Sequence, residues 1–331
     1  MVIQHCQLWE KHMGLNLYKA SAPGSLMLFG EHAVLQRKHA LIAAIDKKIT
    51  VELVPREDRL IKINSETLGN LEITLDQFEI KEPFQFVLQA IDKLRAQIIN
   101  GFNLTINSEF LPTIGLGSSA AVTVAALAVL HLWLEQKPVD LMQLYLEGKE
   151  VIHLVQGVGS GADVAASVFG GVVAYRAAPL FLERIALTLP LVTVYSGSKV
   201  ATKTVIAQVE RLRSRQINIF ELLYDTMDRC VLEAMDAIKD NDWEKLGEIM
   251  DIHQGLQDAL GVNNTVLTKI IFTLRKNKQI FGAKISGSGL GDCVIAVGSI
   301  PLKYFAKEES SGIQVLDIKV TDQGYNCQLP V

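Results

Sequence analysis

The chain has 331 residues, of which 49% are hydrophobic and 21% are charged, which excludes a disordered protein. Its formal net charge of −4 lacks the basic excess of proteins that grip nucleic acid through many phosphates. At about 150 residues per domain, the length suggests two domains. We therefore expect a protein with a large core that binds no nucleic acid.

The first half of the chain is predicted to be rich in strands. Alternating or apolar runs predict strands at residues 17–29 (with a break at Pro23-Gly24), 47–55, 59–65, 71–77, 101–107, 170–175 and 191–197. Apolar residues at helical spacing predict a helix at 83–98, and further helices are expected at 120–134, the most apolar stretch, and at 141–155.

The second half is predicted to be mainly helical and to close with strands. The expected helices are 199–214, 217–238, 242–259 and 264–277, and the expected strands are 281–286, 293–298 and 313–320. Because helices and strands are not regularly alternating, the fold class is α+β. We expect an N-terminal domain at 1–185 and a C-terminal domain at 186–331.

Neither a membrane span nor a secretory signal is predicted. The most apolar stretch, Ala120 to Leu134, is shorter than the roughly 20 residues that a spanning helix needs, so it is interpreted as a buried core helix. The start of the sequence has no apolar signal region. The four cysteines are widely separated and form no metal or disulfide pattern, which is typical of a protein of the reducing cytoplasm.

A Gly/Ser loop, PTIGLGSSAA from Pro112, precedes the apolar helix. Its glycines allow a ligand to approach the backbone closely, and Ser118 or Ser119 can cap the helix. The free N–H groups at a helix start form a ready anion site. A capped core helix after a glycine turn is the alternative, and the loop is not a Walker A motif because no GK[ST] follows.

Two further glycine loops flank apolar strands. In the first loop in chain order, an apolar strand runs into Gly30-Glu31-His32. This segment suits a polar pocket, and a surface turn is the alternative. The third loop, Gly287–Gly291, lies between two strands and is longer than the two residues that a hairpin needs. It suggests a backbone packed against a phosphate or another loop, and a flexible hairpin is the alternative.

Asp163 stands in an otherwise small and apolar stretch, QGVGSGADVAASVFGG, at 156–171. Because burial of a lone charge is costly, this carboxylate needs a partner or a task. We expect it to orient a hydroxyl or accept its proton, and a cap on a helix at 164–169 is the alternative.

Together these motifs resemble the GHMP kinase superfamily over about Lys19 to Val297. PTIGLGSSAA is similar to the family's nucleotide-phosphate loop, so residues 112–119 are called the phosphate loop. GSGLGDC is similar to the family's third motif. The resemblance implies a two-domain α+β kinase with a ribosomal-S5-like N-terminal half and a ferredoxin-like C-terminal half. The active site would lie between the domains.

Within the superfamily, PGSLMLFGEHAVL and MDIHQGLQDALGV resemble the mevalonate kinases most. Ala33-Val34-Leu35 replaces the acidic sugar-binding sequence of galactokinases. GSGADVAASVFGG and the pair Asp292-Cys293 look more like phosphomevalonate kinases, which remain the alternative. The resemblance implies ATP and Mg²⁺, a small substrate (mevalonate or phosphomevalonate), isoprenoid biosynthesis, a cytoplasmic homodimer and no membrane partner.

The family's site residues carry over by motif. Asp163 matches the catalytic aspartate, and Ser119 matches the serine that ligates the metal. A metal-binding glutamate is expected on the preceding helix, as Glu150 or alternatively Glu147. The resemblance assigns substrate contacts to Glu31, His32 and Thr202. It assigns ATP contacts to Gly115, Leu116, Gly117, Ser118, Ser119, Ala120, Gly287, Ser288 and Gly289.

One position departs from the family pattern. Mevalonate kinases carry Pro-Gly-Lys in the first motif, and that lysine pairs with the catalytic aspartate, whereas this chain has Ser25. In an extended strand Lys19 is about 20 Å from this position, so it cannot substitute. Lys199 or Lys203 could supply the charge, and with Arg176 they are also candidates for holding a phosphorylated substrate. A catalytically silent nucleotide-binding protein is the alternative from another class.

Overall fold

The computed structural model describes residues 16–111, 114–186 and 188–330, without the side chains of Ala186 and Glu309. The strands are β1 (Tyr18–Phe29), β2 (Ala40–Pro55), β3 (Leu60–Ser65), β4 (Gly69–Thr74), β5 (Phe102–Ser108), β6 (Val172–Ala177), β7 (Leu180–Ala186), β8 (Leu191–Tyr195), β9 (Ile280–Ser286), β10 (Cys293–Gly298), β11 (Gln314–Leu316) and β12 (Asn326–Gln328). The helices are α1 (Gln85–Leu94), α2 (Ser118–Glu135), α3 (Leu141–Gln156), α4 (Ala162–Phe169), α5 (Thr202–Arg213), α6 (Ile217–Lys239), α7 (Trp243–Ala259) and α8 (Thr265–Arg275). This irregular order confirms the α+β prediction.

The larger sheet has the strand order β12-β1-β2-β5-β3-β4, and β6 pairs with both β2 and β7. Its pairs are antiparallel except β3 with β5. The long strand β2 pairs with two further strands, because its residues Ala40–Ala43 pair with β6 and its residues Ile49–Pro55 pair with β5. The end of the chain returns to this sheet as β12, which the sequence patterns did not predict.

The first strand differs from its prediction. A break was expected at Pro23-Gly24, but β1 runs on through it and only its pairing with β2 shifts register, between Pro23 and Ser25. The backbone N–H of Ser25 turns to the phosphate loop and donates to the carbonyl of Leu116 at 3.0 Å. The sheet therefore continues, and the irregular pairing places Ser25 beside the loop.

The apolar helix α2 lies in the main core. It packs on β1 and β2 and against α1 and α3. Every residue from Ala120 to Leu132 is buried, which is typical of a helix that is hydrophobic all round. Its two polar members are satisfied, because Thr123 Oγ1 donates to the carbonyl of Ser119 at 2.8 Å and His131 contacts Glu135 and Glu147.

This helix, Ser118–Glu135, is the one helix of the described residues long and apolar enough to cross a membrane. The share of it buried inside the protein is 72%. Its apolar surface is therefore covered by the sheet and the neighbouring helices, in agreement with the prediction of a core helix.

The second sheet has the order β11-β8-β10-β9 and is antiparallel. Helices α7 and α8 pack on β9. The predicted strand at 313–320 is realised only as β11, after which Val320 bridges to Ile45 in the first sheet. The chain thus leaves the second sheet after Leu316 and returns to the first sheet.

Candidate active site

A cleft opens between the two halves of the molecule, at the three glycine loops. From the first half it is lined by the end of β1, the start of α2 and the segment before α4. From the second half it is lined by the turn before α5 and the β9–β10 loop. The lining residues include Ser25, Glu31, His32, Gly115, Gly117, Ser118, Ser119, Ala120, Gln156, Asp163, Lys199, Thr202, Gly287, Ser288 and Asp292. Widely separated motifs therefore meet at one place.

The phosphate loop is built for close approach. Gly117 adopts φ +67° and immediately precedes α2, and a Cβ on it would lie 2.1 Å from Ser25 Oγ. Only glycine is tolerated where a backbone with positive φ packs against another side chain. Because Gly117 has no side chain to cap the helix, the first N–H groups of α2 can bind an anion.

Two of the residues expected to contact ATP support the loops instead. Leu116 is 1% exposed, and its carbonyl accepts the N–H of Ser25. Gly289 lies against Val262 at the far side of the third loop. Neither lines the cleft, whereas the other seven predicted positions do. Pro112 and Thr113 of the loop motif lie outside the described residues.

Asp163 lies in the first turn of α4, with its side chain open to the cleft. Oδ1 accepts a hydrogen bond from Ser25 Oγ at 2.8 Å. Protein encloses the carboxylate on its other sides, and this burial raises its pKa, which the Ser25 hydrogen bond and then the charge of Lys199 oppose. A carboxylate in this setting can orient a hydroxyl group or accept its proton.

Glu31 lines the cleft but is also part of a buried ion pair. Its Oε1 contacts Nζ of Lys284 at 2.5 Å, and the two side chains are 2% and 0% exposed. Burial raises the pKa of Glu31, and Lys284 opposes this rise. The same lysine donates to the carbonyl of Ile285 on its own strand β9. Its ion pair with Glu31 therefore ties the first motif to the strand before the third loop.

His32 and His253 complete this contact between the halves. Nε2 of His32 lies 2.8 Å from the carbonyl oxygen of Ser288, and burial lowers the pKa of His32. His253 accepts the N–H of Gly30 through Nε2 at 3.1 Å. Burial, reinforced by the charge of Lys284, holds the pKa of His253 well below its ordinary value, as a neutral acceptor requires.

The glutamates expected to hold a metal do not reach the cleft. Glu150 is bound to Lys93 at 2.7 Å with a side chain that is 58% exposed, and Glu147 is bound to His131 at 2.6 Å. The helical period explains this, because α3 presents Ile152 and Gln156 to the cleft and residue 150 points elsewhere. The expected site of Ser119 with Glu150 is thus not assembled.

Of the remaining predicted residues, some line the cleft and others lie outside it. Thr202, the first residue of α5, lines the cleft, and so does Lys199. Lys203 is exposed and lies outside the lining. Arg176 donates to the carbonyl of Pro179 in the β6–β7 turn, and Lys19 is bound to Glu52. Of the cations weighed from the sequence, Lys199 is therefore the one at the cleft.

The sequence patterns missed three polar residues of this region. Gln156 could have been found from the helical period, which places it on the same face as Ile152. Lys284 stands alone in the apolar run FGAKIS, and a lone buried charge signals a partner. Asp292 was noted only for its resemblance, and nothing in the sequence indicated that it would lie beside Gly115 of the phosphate loop.

A glycine-rich helix start with an aspartate beside it in the same cleft suits a small-molecule phosphotransferase. The sequence models of the GHMP kinase N-terminal domain and of the GHMP kinase C-terminal region match residues 85–171 and 234–317. The mevalonate kinase of Thermococcus sibiricus is 34% identical over 298 residues, covering 84% of this chain and 88% of the relative.

Two solved structures share the fold. Leishmania (L. major) mevalonate kinase in complex with R-mevalonate has a TM-score of 0.77 at 22% identity and covers 92% of this chain and 96% of that one. Streptococcus pneumoniae phosphomevalonate kinase, in complex with phosphomevalonate and AMPPNP, has a TM-score of 0.76 at 20% identity and covers 91% and 99%. The fold by itself does not separate these two activities.

The chain belongs to the GHMP kinase family, as its motifs indicated. It is a kinase that uses ATP to phosphorylate a small molecule.

Proposed function

We propose that this kinase transfers the γ-phosphoryl group of ATP to the primary hydroxyl of mevalonate, an early step in the supply of isoprenoid precursors. The observation that carries the proposal is the carboxylate of Asp163, which opens to the cleft and is held beside the phosphate loop by Ser25. The named relative, a mevalonate kinase over most of both chains, supports mevalonate as the acceptor.

The chemistry of the cleft favours mevalonate over a sugar. Val34 and Leu35, on the short 3-10 turn after His32, line the cleft together with Met27 and Ile206. These apolar side chains suit the methyl and methylene groups of mevalonate. A sugar would present hydroxyl groups to the same wall and leave them without partners.

The charge of the cleft favours mevalonate over phosphomevalonate. Along the lining, as far as the structure describes it, Lys199 is the lysine or arginine side chain present. The triphosphate of ATP already requires positive charge, and a second phosphorylated substrate would need more. The motif around Asp163 and the pair Asp292-Cys293 keep phosphomevalonate as the second candidate.

In the proposed reaction the N–H groups at the start of α2 hold the phosphates of ATP, with Gly287 and Ser288 at the other side. His32 and Thr202 border the acceptor. Asp163 orients the acceptor hydroxyl and takes its proton while the new O–P bond forms and the bond from the γ-phosphorus to ADP breaks. Because Ser25 holds the carboxylate of Asp163, the position of this carboxylate is set before substrate binds.

Magnesium is implied by the family, and the donors of the cleft fit it. Mg²⁺ at phosphoryl sites takes oxygen ligands, few of them from the protein and the rest from phosphates and water. Ser119 at the helix start and the amide oxygen of Gln156 on α3 are oxygen donors that line the cleft and would hold it. When bound, the ion would neutralise charge on the phosphates.

The test is an acceptor comparison with the purified protein. Mevalonate, phosphomevalonate, galactose and homoserine would each be supplied with Mg-ATP, and ADP release and the phosphorylated product measured. Mevalonate should give the highest kcat/KM by at least about tenfold. Preference for phosphomevalonate would replace the proposal by the second candidate, and binding of ATP with no transfer to any acceptor would favour a silent nucleotide-binding protein.

We also propose that the protein works in the cytoplasm, from the widely separated cysteines of its sequence, and, from the resemblance alone, that it is a homodimer. Light scattering of the purified protein over a range of concentrations measures the mass directly. A mass of one chain at all concentrations would contradict the dimer.

A further inference from the structure

The cleft lacks a lysine at the position where the resembled kinases carry one. Ser25 occupies it, is 1% exposed, and gives Asp163 a hydrogen bond but no charge. During phosphoryl transfer, negative charge spreads over the oxygens of the moving group, and catalysis depends on positive charge placed around them. If the protein is a kinase as proposed, another residue must provide that charge.

Lys199 is the lysine or arginine in the described lining of the cleft. It belongs to the turn between β8 and α5 and lines the same cleft as Ser25 and Asp163. Burial raises the pKa of both Asp163 and Asp292, and the charge of Lys199 opposes both rises, as expected for a cation that shares their cleft. The turn brings this charge from the C-terminal half to an aspartate of the N-terminal half.

The turn that carries Lys199 is clamped to the third loop. The N–H of Asp292 donates to the carbonyl of Ser198 at 2.8 Å, and the N–H of Ser196 donates to the carbonyl of Asp292 at 2.9 Å. Gly291 has no side chain at the point where a Cβ would lie 3.2 Å from the Cα of Lys199. The backbone around residue 199 is thereby fixed against the loop that borders the phosphate site.

The side chain of Asp292 has no other evident task. It is 5% exposed, and its Oδ1 is buried without a hydrogen-bond partner in the part of the chain that the structure describes. Burial raises its pKa to about 6, and the charge of Lys199 opposes this rise. A buried carboxylate oxygen without a hydrogen-bond partner is costly, and a nearby positive charge reduces this cost.

We propose that Lys199 replaces the missing first-motif lysine as the catalytic cation, contacting the transferring phosphoryl group beside Asp163, and that Asp292 is the positioning residue that holds it there. In this assignment Lys199 donates hydrogen bonds to the γ-phosphoryl oxygens and transfers no proton. The γ-phosphorus loses its bond to ADP and gains one to the acceptor oxygen, whose proton passes to Asp163. This assignment rests on the proposed kinase function but not on which alcohol is the acceptor.

The first test compares two neighbouring lysines. Lys199→Ala should lower kcat by about 100-fold, in the range found when one donor to a developing charge is removed. Lys203→Ala, its matched control outside the cleft, should stay within about twofold of the parent protein. Because both side chains are exposed, both variants should fold, and thermal melting checks this.

The second test moves the charge. Ser25→Lys combined with Lys199→Ala returns a lysine to the first-motif position and should recover at least about tenfold of the lost kcat. Asp292→Asn should lower kcat by about tenfold in the parent protein, but have little further effect in Lys199→Ala, since residues that act as a unit are not additive. A merely structural role of Asp292 would give equal losses in both backgrounds.

A binding measurement separates this assignment from the identity of the acceptor. Affinity for a non-hydrolysable ATP analogue relative to ADP should fall several-fold in Lys199→Ala and be unchanged in Lys203→Ala, because only ATP presents a γ-phosphate. This readout holds even if mevalonate is not the acceptor. The assignment is overturned if Lys199→Ala keeps kcat within about threefold and the nucleotide preference intact, or if Lys203→Ala loses as much as Lys199→Ala.

Discussion

Ser25 Oγ donates a 2.8 Å hydrogen bond to Oδ1 of Asp163, although 138 positions separate the two residues. Ser25 is also bound through its backbone to Leu116 of the phosphate loop. One serine therefore connects the first strand, the phosphate loop and the helix that carries the carboxylate. This contact fixes the distance between the group that would activate the acceptor and the loop that would hold ATP.

Replacing the carboxylate tests its role directly. Asp163→Asn keeps the shape and can still accept the Ser25 hydrogen bond through its amide oxygen, but it cannot take a proton. We expect kcat to fall by about 10²–10⁴-fold with little change in ATP affinity. Steady-state kinetics and nucleotide calorimetry measure the two effects, with Asp140→Asn at the cap of α3 as control. Near-parental turnover would refute the role.

Removing the Ser25 hydroxyl should move the pH dependence. Its hydrogen bond lowers the pKa of Asp163, which burial raises, so Ser25→Ala should raise that pKa further. A larger share of the acid is then protonated at a given pH, and the acid limb of the kcat/KM profile should shift to higher pH. Ser167→Ala, on the same helix with its hydroxyl bound to the carbonyl of Pro23, should leave the limb in place. A shift to lower pH would contradict the assignment.

The metal donors can be distinguished by their position on α3. Gln156→Ala should raise the Mg²⁺ concentration that gives half-maximal activity and weaken Mn²⁺ binding followed by electron paramagnetic resonance, because a cleft oxygen is lost. Glu150→Ala should change neither, because Glu150 is bound to Lys93 on the outer face of the helix. If Glu150→Ala weakens metal binding and Gln156→Ala does not, the placement of the donors is wrong.

A tyrosine pair supports the segment before Asp163. Tyr175 OH donates to the carbonyl of Ser160 and lies 2.9 Å from Tyr145 OH. Tyr175→Phe leaves these groups unpaired in a buried place and should destabilise the protein by about 1–3 kcal/mol in urea unfolding. Tyr304→Phe, which loses only a long 3.4 Å contact with Thr273, should cost less than about 0.5 kcal/mol. Equal losses would show that the pair has no special role.

Removing one partner of the buried Lys284–Glu31 ion pair should reduce stability more than removing both charges. Lys284→Met leaves Glu31 as an unpaired buried carboxylate and should destabilise the protein by about 3–5 kcal/mol. Adding Glu31→Gln to Lys284→Met removes the charge and should restore part of this loss. Chemical unfolding of the single and double variants measures both values. A double variant that is less stable than Lys284→Met would argue against charge burial as the cause.

Local signals predicted most of the elements, with errors where distant segments meet. Helix α2 was recognisable because residues 120–134 are apolar apart from Thr123 and His131, which is typical of a helix buried on all sides. The short strand β12 was not, because three residues carry too little pattern and form a strand only by pairing with β1. The break expected at Pro23-Gly24 became a register shift, since the neighbouring strand supplies pairing that the dipeptide by itself does not indicate.

The amino-acid sequence by itself determined the class of this protein. Glycines before a helix indicate phosphate binding, and the single charged residue Asp163 among small residues indicates a functional carboxylate. Both signals are local in the sequence. Only the tertiary structure decided which residues share the cleft. It joined Ser25 to Asp163, turned Glu150 away from the cleft and placed Lys199 and Asp163 in the lining of the same cleft. The reason is that the pairing of distant strands and the orientation of helices are properties of the whole fold.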